Sequence, residues 1–239
     1  MNTRPKEQTL TLIAIALTFA SGAADVASFS RLGFVFTSVM TGNIVLWGLA
    51  VARGSLTLAS HTAVAIGGYI AGVAAGTWVA HGAKTASSEK DGVVPSHVLW
   101  VLLGELTLLT GFAVGWEVSG ASPAGWAQFC LLATLAAAMG VQSSAVNDMG
   151  LSQVSTTYLT GTLTGLVSSL VKPGQDTPQG IRRFGVLIGL VAGASLSGMF
   201  VATAADGVPA LPLAALVTTL VLATGPSWRR PRLFRRRGR

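Results

Sequence analysis

The sequence predicts an all-α fold, a polytopic helical membrane protein made of two sequence-related halves. Each half is expected to hold three to four helical segments, six to eight in total. Of the 239 residues, 51% are hydrophobic and only 10% are charged, whereas a soluble domain has roughly 25% charged residues. Apolar runs close to the ~20 residues that cross a bilayer recur along the chain. A polar motif inside such a run also occurs twice.

The duplicated motif sets the register of the two halves. Thr37-Ser38-Val39-Met40-Thr41-Gly42-Asn43 returns as Thr156-Thr157-Tyr158-Leu159-Thr160-Gly161-Thr162. Two further stretches repeat in the same order: 22–27 matches 140–145, and 68–72 matches 189–193. We therefore predict a single integral membrane domain over 1–239. Its parts are a first half at about 9–118, a second half at about 125–225 and a basic tail at 226–239.

The first half begins with segments A and B. Segment A, about 9–27, has a basic start and could be a cleaved signal peptide, but its echo in the second half indicates that it is retained. Segment B, about 34–52, contains the first polar motif and is long enough to span.

Segments C and D complete the first half. Segment C, about 59–80, carries Gly68, Gly72 and Gly76 on one helix face, where another backbone can approach closely. Segment D, about 97–116, follows the longest polar connection. The second half repeats the order as A′ (about 125–146), B′ (about 154–171), C′ (about 183–204) and D′ (about 208–224).

The basic residues place both termini in the cytoplasm, with the chain crossing the membrane several times. Two topologies satisfy this rule. Either all eight segments cross, or B and B′ enter and leave on one side, which leaves six spans and inverts the halves. We expect eight crossing segments, because segment B is long enough to span.

The net charge of +7 comes largely from the tail, since seven of the twelve arginines follow Ser227. A basic tail directly after an apolar segment is typical of a cytoplasmic anchor on anionic lipid. Its placement argues against nucleic acid as a partner. The expected partners are the lipid bilayer and an unknown small solute. A homo-oligomer is left open, because the glycines of segment C could face another copy.

The paired motifs are expected to break or bend their helices, which is tolerated in a bilayer only inside protein or beside a wet cavity. Interrupted segments at equivalent places in two halves indicate a transporter site. The alternative is a packing seam between the halves. The candidate substrate-binding residues are Asp25, Thr37, Thr41, Gly42, Asn43, Gln142, Thr156, Thr160, Gly161 and Thr162.

Two carboxyl groups inside apolar segments are candidates for coupling transport to protons. Asp25 lies late in segment A, and Glu105 lies in the middle of segment D. Asp25 could instead mark the membrane interface, and Glu105 could be a protonated carboxyl held by a neighbouring hydroxyl.

Enzymatic, cofactor and metal chemistry find no support in the sequence. His61, His81 and His97 show no ligand spacing, and a single cysteine, Cys130, excludes an internal disulfide and a multi-cysteine metal site. We expect no catalytic residues, no metal and no cofactor.

Four short stretches carry a resemblance to a known family. They are Gly22-Ala-Ala-Asp25, Met40-Thr41-Gly42-Asn43, Met139-Gly140-Val-Gln142 and Leu159-Thr160-Gly161-Thr162. Together they resemble the YoaK-like family of bacterial membrane proteins, a domain of unknown function. The resemblance implies a multi-pass inner-membrane protein without an assigned activity. Ser143 stands where the family often has Asn.

The sequence is therefore compatible with two functions. The first is a small-molecule or ion transporter with its site between segments A, B, A′ and B′. The second is a non-transporting membrane scaffold or accessory protein, in which the polar residues only hold helices together. A solute that raises thermal stability would distinguish the first function from the second.

Overall fold

The computed structural model describes residues 4–86, 94–150, 159–171 and 177–225. Within these ranges the chain forms α-helices, turns and one short 3₁₀ helix, Ala205–Gly207. The helical class predicted from composition is therefore confirmed. The helices are α1 (Arg4–Arg31), α2 (Met40–Arg53), α3 (Leu56–Ala86), α4 (Ser96–Val118), α5 (Trp126–Asp148), α6 (Leu159–Val171), α7 (Thr177–Thr203) and α8 (Ala210–Thr224).

Six of the helices in the described ranges are long and apolar enough to cross a membrane: α1, α3, α4, α5, α7 and α8. Helix α2 has 14 residues and α6 has 13. At 1.5 Å per residue, α2 is only about 21 Å long, against a hydrocarbon core of ~30 Å. Among the described residues, six helices rather than eight have the length of a span, which lies within the expected six to eight segments. Segment B is too short to span because its first six residues, 34–39, are not helical.

Helices α1 and α5 lie at the centre and are the most buried of the six. Helix α7 packs along α1, and α3 packs along α5. Each pair is parallel, because contacts such as those of Gly189 with Ile15 and Gly193 with Phe19 advance together along both helices. Helix α4 covers another side of α5, and α8 another side of α1.

Close glycine contacts join the two predicted halves at positions that the predicted repeat matches. A Cβ on Gly72 would overlap the carbonyl oxygen of Ala137, and one on Gly193 would overlap that of Phe19. Phe19 and Ala137 each lie three residues before the matched glycines of α1 and α5. Each half thus supplies the partner for the other half's glycine face, with the backbones in direct contact.

One end of the bundle, here called the loop end, gathers the end of α1 and the starts of α3, α5 and α8. The guanidinium of Arg31 donates to the Val201 carbonyl (3.0 Å), and the Trp116 indole N–H donates to the Ala205 carbonyl (2.9 Å). At the opposite end, Lys84 pairs with Asp148 at 3.2 Å.

Candidate functional site

The chain between α1 and α2, residues 32–39, is here called the α1–α2 loop. It reverses direction at Gly33 and Phe34, which have φ angles of +101° and +60°. Phe34 is unusual, because side chains larger than Asn seldom adopt the left-handed region. The Leu32 N–H still donates to the Ser28 carbonyl and the Val39 carbonyl accepts the Asn43 N–H. The backbone groups between these two residues lie outside both helices, so side chains are needed to bond them.

Asp25, near the end of α1, completes the first set of these bonds. Its Oδ1 accepts the backbone N–H of Thr37 (2.8 Å), the backbone N–H of Ser38 (2.8 Å) and the Thr37 hydroxyl (3.2 Å). Its Oδ2 accepts the Ser38 hydroxyl at 2.6 Å. The carboxyl is buried, as are Thr37 and Ser38. A carboxylate fits this position well, since it can accept four donors at once.

Asn43, in the first turn of α2, completes the second set. Its Oδ1 accepts the Phe36 N–H (2.9 Å), and its Nδ2 donates to the Phe36 carbonyl (2.6 Å). The amide is fully buried. The backbone N–H and C=O of Phe36 are thus both bonded to the Asn43 side chain, which fixes the loop against the start of α2.

Two serines belong to this cluster although they were not among the predicted site residues. Ser38 donates to Asp25, and the Ser28 hydroxyl lies 2.8 Å from the Val35 carbonyl. The sequence signal for Ser38 was its place beside Thr37 in the duplicated motif. Ser28 carried no such signal, since hydroxyls on helices usually bond the preceding turn. We name Asp25, Ser28, Thr37, Ser38 and Asn43 the loop cluster.

Gln142 lies apart from the loop cluster and bonds the two central helices. From α5, its Nε2 donates to the Leu17 carbonyl (3.1 Å) and to the Ser21 hydroxyl (2.8 Å) of α1. Its Oε1 is buried and has no partner among the described residues. An acceptor left open in an apolar interior has a desolvation cost, so this oxygen is available to a donor that enters the bundle.

Glu105 lies in the middle of α4 and is fully buried. The buried face of that helix around it is formed by Val101, Leu102, Leu109 and Phe112. Neither carboxyl oxygen has a hydrogen-bond partner among the described residues. The hydroxyl partner envisaged for this carboxyl is therefore not present in that part of the chain. Burying an unpaired carboxylate is costly, so this group is most stable as the neutral acid.

The remaining predicted residues are spread along α2 and α6. Thr41, Thr160 and Gly161 are exposed, and a Cβ on Gly161 would meet no atom within 4 Å. Gly42 faces the Phe36 ring, 3.3 Å from the position of a Cβ. Thr162, the counterpart of Asn43, is buried. Thr156 lies outside the described residues. The structure thus groups Asp25, Thr37 and Asn43 and does not bring the exposed residues to them.

The family can be assigned with this geometry in place. Residues 13–224 match the family described as Protein of unknown function (DUF1275). This chain belongs to that family. It is also similar to the UPF0700 transmembrane protein YoaK of Bacillus subtilis (strain 168), with 32% identity over 154 residues. That match covers 64% of this chain and 64% of the relative, which is less than two thirds of the relative's length. No solved structure matches the chain.

Membership in the DUF1275 family agrees with the expected YoaK-like resemblance, which is confirmed. A relative named as a transmembrane protein, together with six apolar helices, makes this chain a multi-pass membrane protein. The family description names no activity. The features of this chain that bear on function are the loop cluster, Gln142 and Glu105.

Proposed function

We propose that this protein is a proton-coupled transporter of a small solute in the bacterial inner membrane. Both termini lie in the cytoplasm, and the arginine-rich tail binds anionic lipid. The protein uses neither a metal nor a cofactor and catalyses no reaction. The observation that carries this proposal is Glu105, a fully buried carboxyl in the middle of a span with no partner among the described residues.

An unpaired carboxyl at this depth has a defined chemistry. It holds a proton while its surroundings are dry, because a charged group there costs several kcal/mol. It releases the proton when water or a cation reaches it. Ionisable residues inside membrane spans typically mark such proton relays. Asp25, the other coupling candidate, has four donors on its two oxygens and is better suited to hold the loop.

The solute is proposed to bind where the helical path is broken beside α1. Support comes from the α1–α2 loop, whose backbone bonds are completed by Asp25 and Asn43. Broken helices at matched places in two halves are the usual position of transporter sites. The proposed binding residues remain Asp25, Thr37, Thr41, Gly42, Asn43, Gln142, Thr156, Thr160, Gly161 and Thr162.

The test uses proteoliposomes containing a pH-sensitive dye and a panel of small solutes. A solute that raises the unfolding temperature of the purified protein should also drive proton movement in the wild type. Glu105→Gln keeps the neutral shape, so it should still be stabilised by that solute but should move no protons. Glu117→Gln, at an exposed position on the same helix, is the matched control and should behave as the wild type.

Either of two results contradicts the proposal. Proton movement by Glu105→Gln at the wild-type rate would remove this carboxyl from coupling. A panel in which no solute stabilises the protein or moves protons would favour the second function.

The second function is a membrane scaffold or accessory protein without transport. The observation that favours it is the saturation of Asp25 and the bond from Gln142 to α1, because purely structural polar residues would be arranged in this way. In that case Asp25→Asn should lower thermal stability, and no solute should restore it.

A further inference from the structure

His61, in the second turn of α3 at the loop end, has an oxygen atom opposite each ring nitrogen. Its Nδ1 lies 2.7 Å from the Thr57 carbonyl, one turn earlier in the same helix. Its Nε2 lies 3.1 Å from Oε1 of Gln128 on α5. The ring is buried and packs on Phe129 with a centroid distance of 4.4 Å. Both oxygens are acceptors, so each needs a proton on the nitrogen that faces it.

The orientation of the Gln128 amide is fixed by its other partner. Its Nε2 donates to the Arg31 carbonyl at the end of α1, at 2.9 Å. Turning the amide over would place Oε1 against that carbonyl, where two acceptors repel and no hydrogen bond forms. Oε1 therefore faces His61.

A neutral imidazole carries one N–H and can satisfy only one of these two acceptors, whereas the imidazolium carries two. We propose that His61 is a proton-binding site, and that its imidazolium form acts through Gln128 as a latch holding the end of α1 and the α1–α2 loop against α3 and α5. When the proton leaves, either the Thr57 or the Gln128 contact loses its donor. The Gln128 amide could then rotate to point its N–H₂ at the neutral ring, but only by losing its hydrogen bond to the Arg31 carbonyl.

The latch reaches the loop cluster through Gly33. A Cβ on Gly33 would overlap the His61 ring. The backbone of the α1–α2 loop therefore packs directly against the imidazole at the residue where the loop reverses direction. Thr37 and Ser38 follow in the same loop and are bonded to Asp25. A change in the position of the ring is therefore transmitted to the backbone that carries the cluster.

Other ionisable groups on the packed elements have different engagements. On α1, the Arg31 guanidinium donates a hydrogen bond to the Val201 carbonyl, and the Asp25 carboxylate accepts the Thr37 N–H of the loop. Arg53 on α2, Glu117 on α4 and Cys130 on α5 are exposed. Among the described residues, no salt bridge reaches His61. The proton is therefore held by neutral acceptors, and the latch does not depend on whether the protein transports a solute.

The test is hydrogen exchange of the full-length protein in lipid nanodiscs at about pH 5.5 and about pH 8, a range over which histidine switches in proteins act. Protection of the amides of residues 32–39, corrected for the intrinsic rates, should fall by about tenfold at the higher pH, as expected for losing a charge-assisted hydrogen bond. His61→Gln keeps one donor at every pH and should show no such change. His81→Gln, at an exposed position on the same helix, is the matched control and should keep the change.

A second measurement observes the histidine rings directly in the wild-type protein, with His61→Gln used only to assign the signals. With ¹⁵N-labelled histidine rings, the signals absent from His61→Gln identify His61. At about pH 5.5 both of its ring N–H protons should be observed, because hydrogen-bonded protons exchange slowly. Protection that does not change with pH in the wild type, an equal change in His61→Gln, or a singly protonated ring at about pH 5.5 would each overturn the latch.

Discussion

Asp25 shows how one side chain can order a loop whose central backbone N–H groups have no helical partners, because it accepts those of Thr37 and Ser38. In Asp25→Asn, an amide N–H₂ replaces one acceptor and faces donors from the loop. The expected loss is about 2 to 4 kcal/mol, because hydrogen bonds to a charged group are worth about 1.5 to 3 kcal/mol each and a buried donor left open has a further cost. The thermal unfolding midpoint in detergent measures this loss.

Thr41→Val is the matched control for that variant, because Thr41 belongs to the same motif but is exposed. It should change the stability by no more than about 0.5 kcal/mol. Equal midpoints for the two variants would mean that the carboxylate does not hold the loop.

The sequence could identify polar residues out of place in apolar runs, but it could not pair them. Asp25 and Asn43 were selected for that reason, and both lie in the loop cluster. Their partners depend on the reversal at Gly33 and Phe34, and a left-handed Phe has no sequence signature. The partners of Gln128 and His61 come from helices far apart in the chain, so their hydrogen bonds could not be expected from local pattern.

At the scale of the helices, the glycine contacts between halves make a sharp prediction. In Gly72→Ala the new methyl group would meet the Ala137 carbonyl, so α3 and α5 must separate. The expected cost is about 1 to 3 kcal/mol, as for other overpacked interiors. Gly67→Ala, on the same helix with nothing within 4 Å of a Cβ, should be neutral or stabilising by up to about 1 kcal/mol.

Thermal unfolding of the two alanine variants side by side measures the difference. Similar midpoints would show that α3 and α5 do not touch at Gly72. Gly193→Ala, which meets the Phe19 carbonyl on α1, should match Gly72→Ala if the two contacts are equivalent.

Helix positions were predicted more closely than helix ends. Segment D was expected at about 97–116, and α4 covers Ser96–Val118. Segment B was expected from about 34, but α2 begins at Met40. Residues 34–39 are apolar enough to be included in a span, although Phe, Val, Thr and Ser are weak helix formers. Asp25 and Asn43 bind the backbone of this stretch instead, and such long-range contacts override local propensity.

At the scale of the whole molecule, six spans fix which connections share a side of the membrane. If the termini lie in the cytoplasm, as proposed, six spans put the start of α3 outside and the connection between α3 and α4 inside. In a Cys130→Ser background, Leu56→Cys should react with an impermeant maleimide in intact cells. Lys90→Cys, outside the described residues, should react only after permeabilisation.

The opposite labelling pattern would restore eight spans with cytoplasmic termini. Charge alone could not make this choice, because both topologies keep most basic residues inside. The length of α2 favours six spans, and that length depends on the loop cluster rather than on composition.

The parallel pairing of α1 with α7 and of α3 with α5 has a consequence for biogenesis. During synthesis α1 leaves the ribosome long before α7 is made. The side of α1 that will pack against α7 is therefore first covered by lipid or by an insertase. A chain truncated after α4 would lack the partners α7 and α5, so the matching faces of α1 and α3 would be exposed. Such a fragment should be degraded by membrane quality-control proteases. Co-expressing the two halves as separate polypeptides should rescue both, since each fragment supplies the helix that the other is missing.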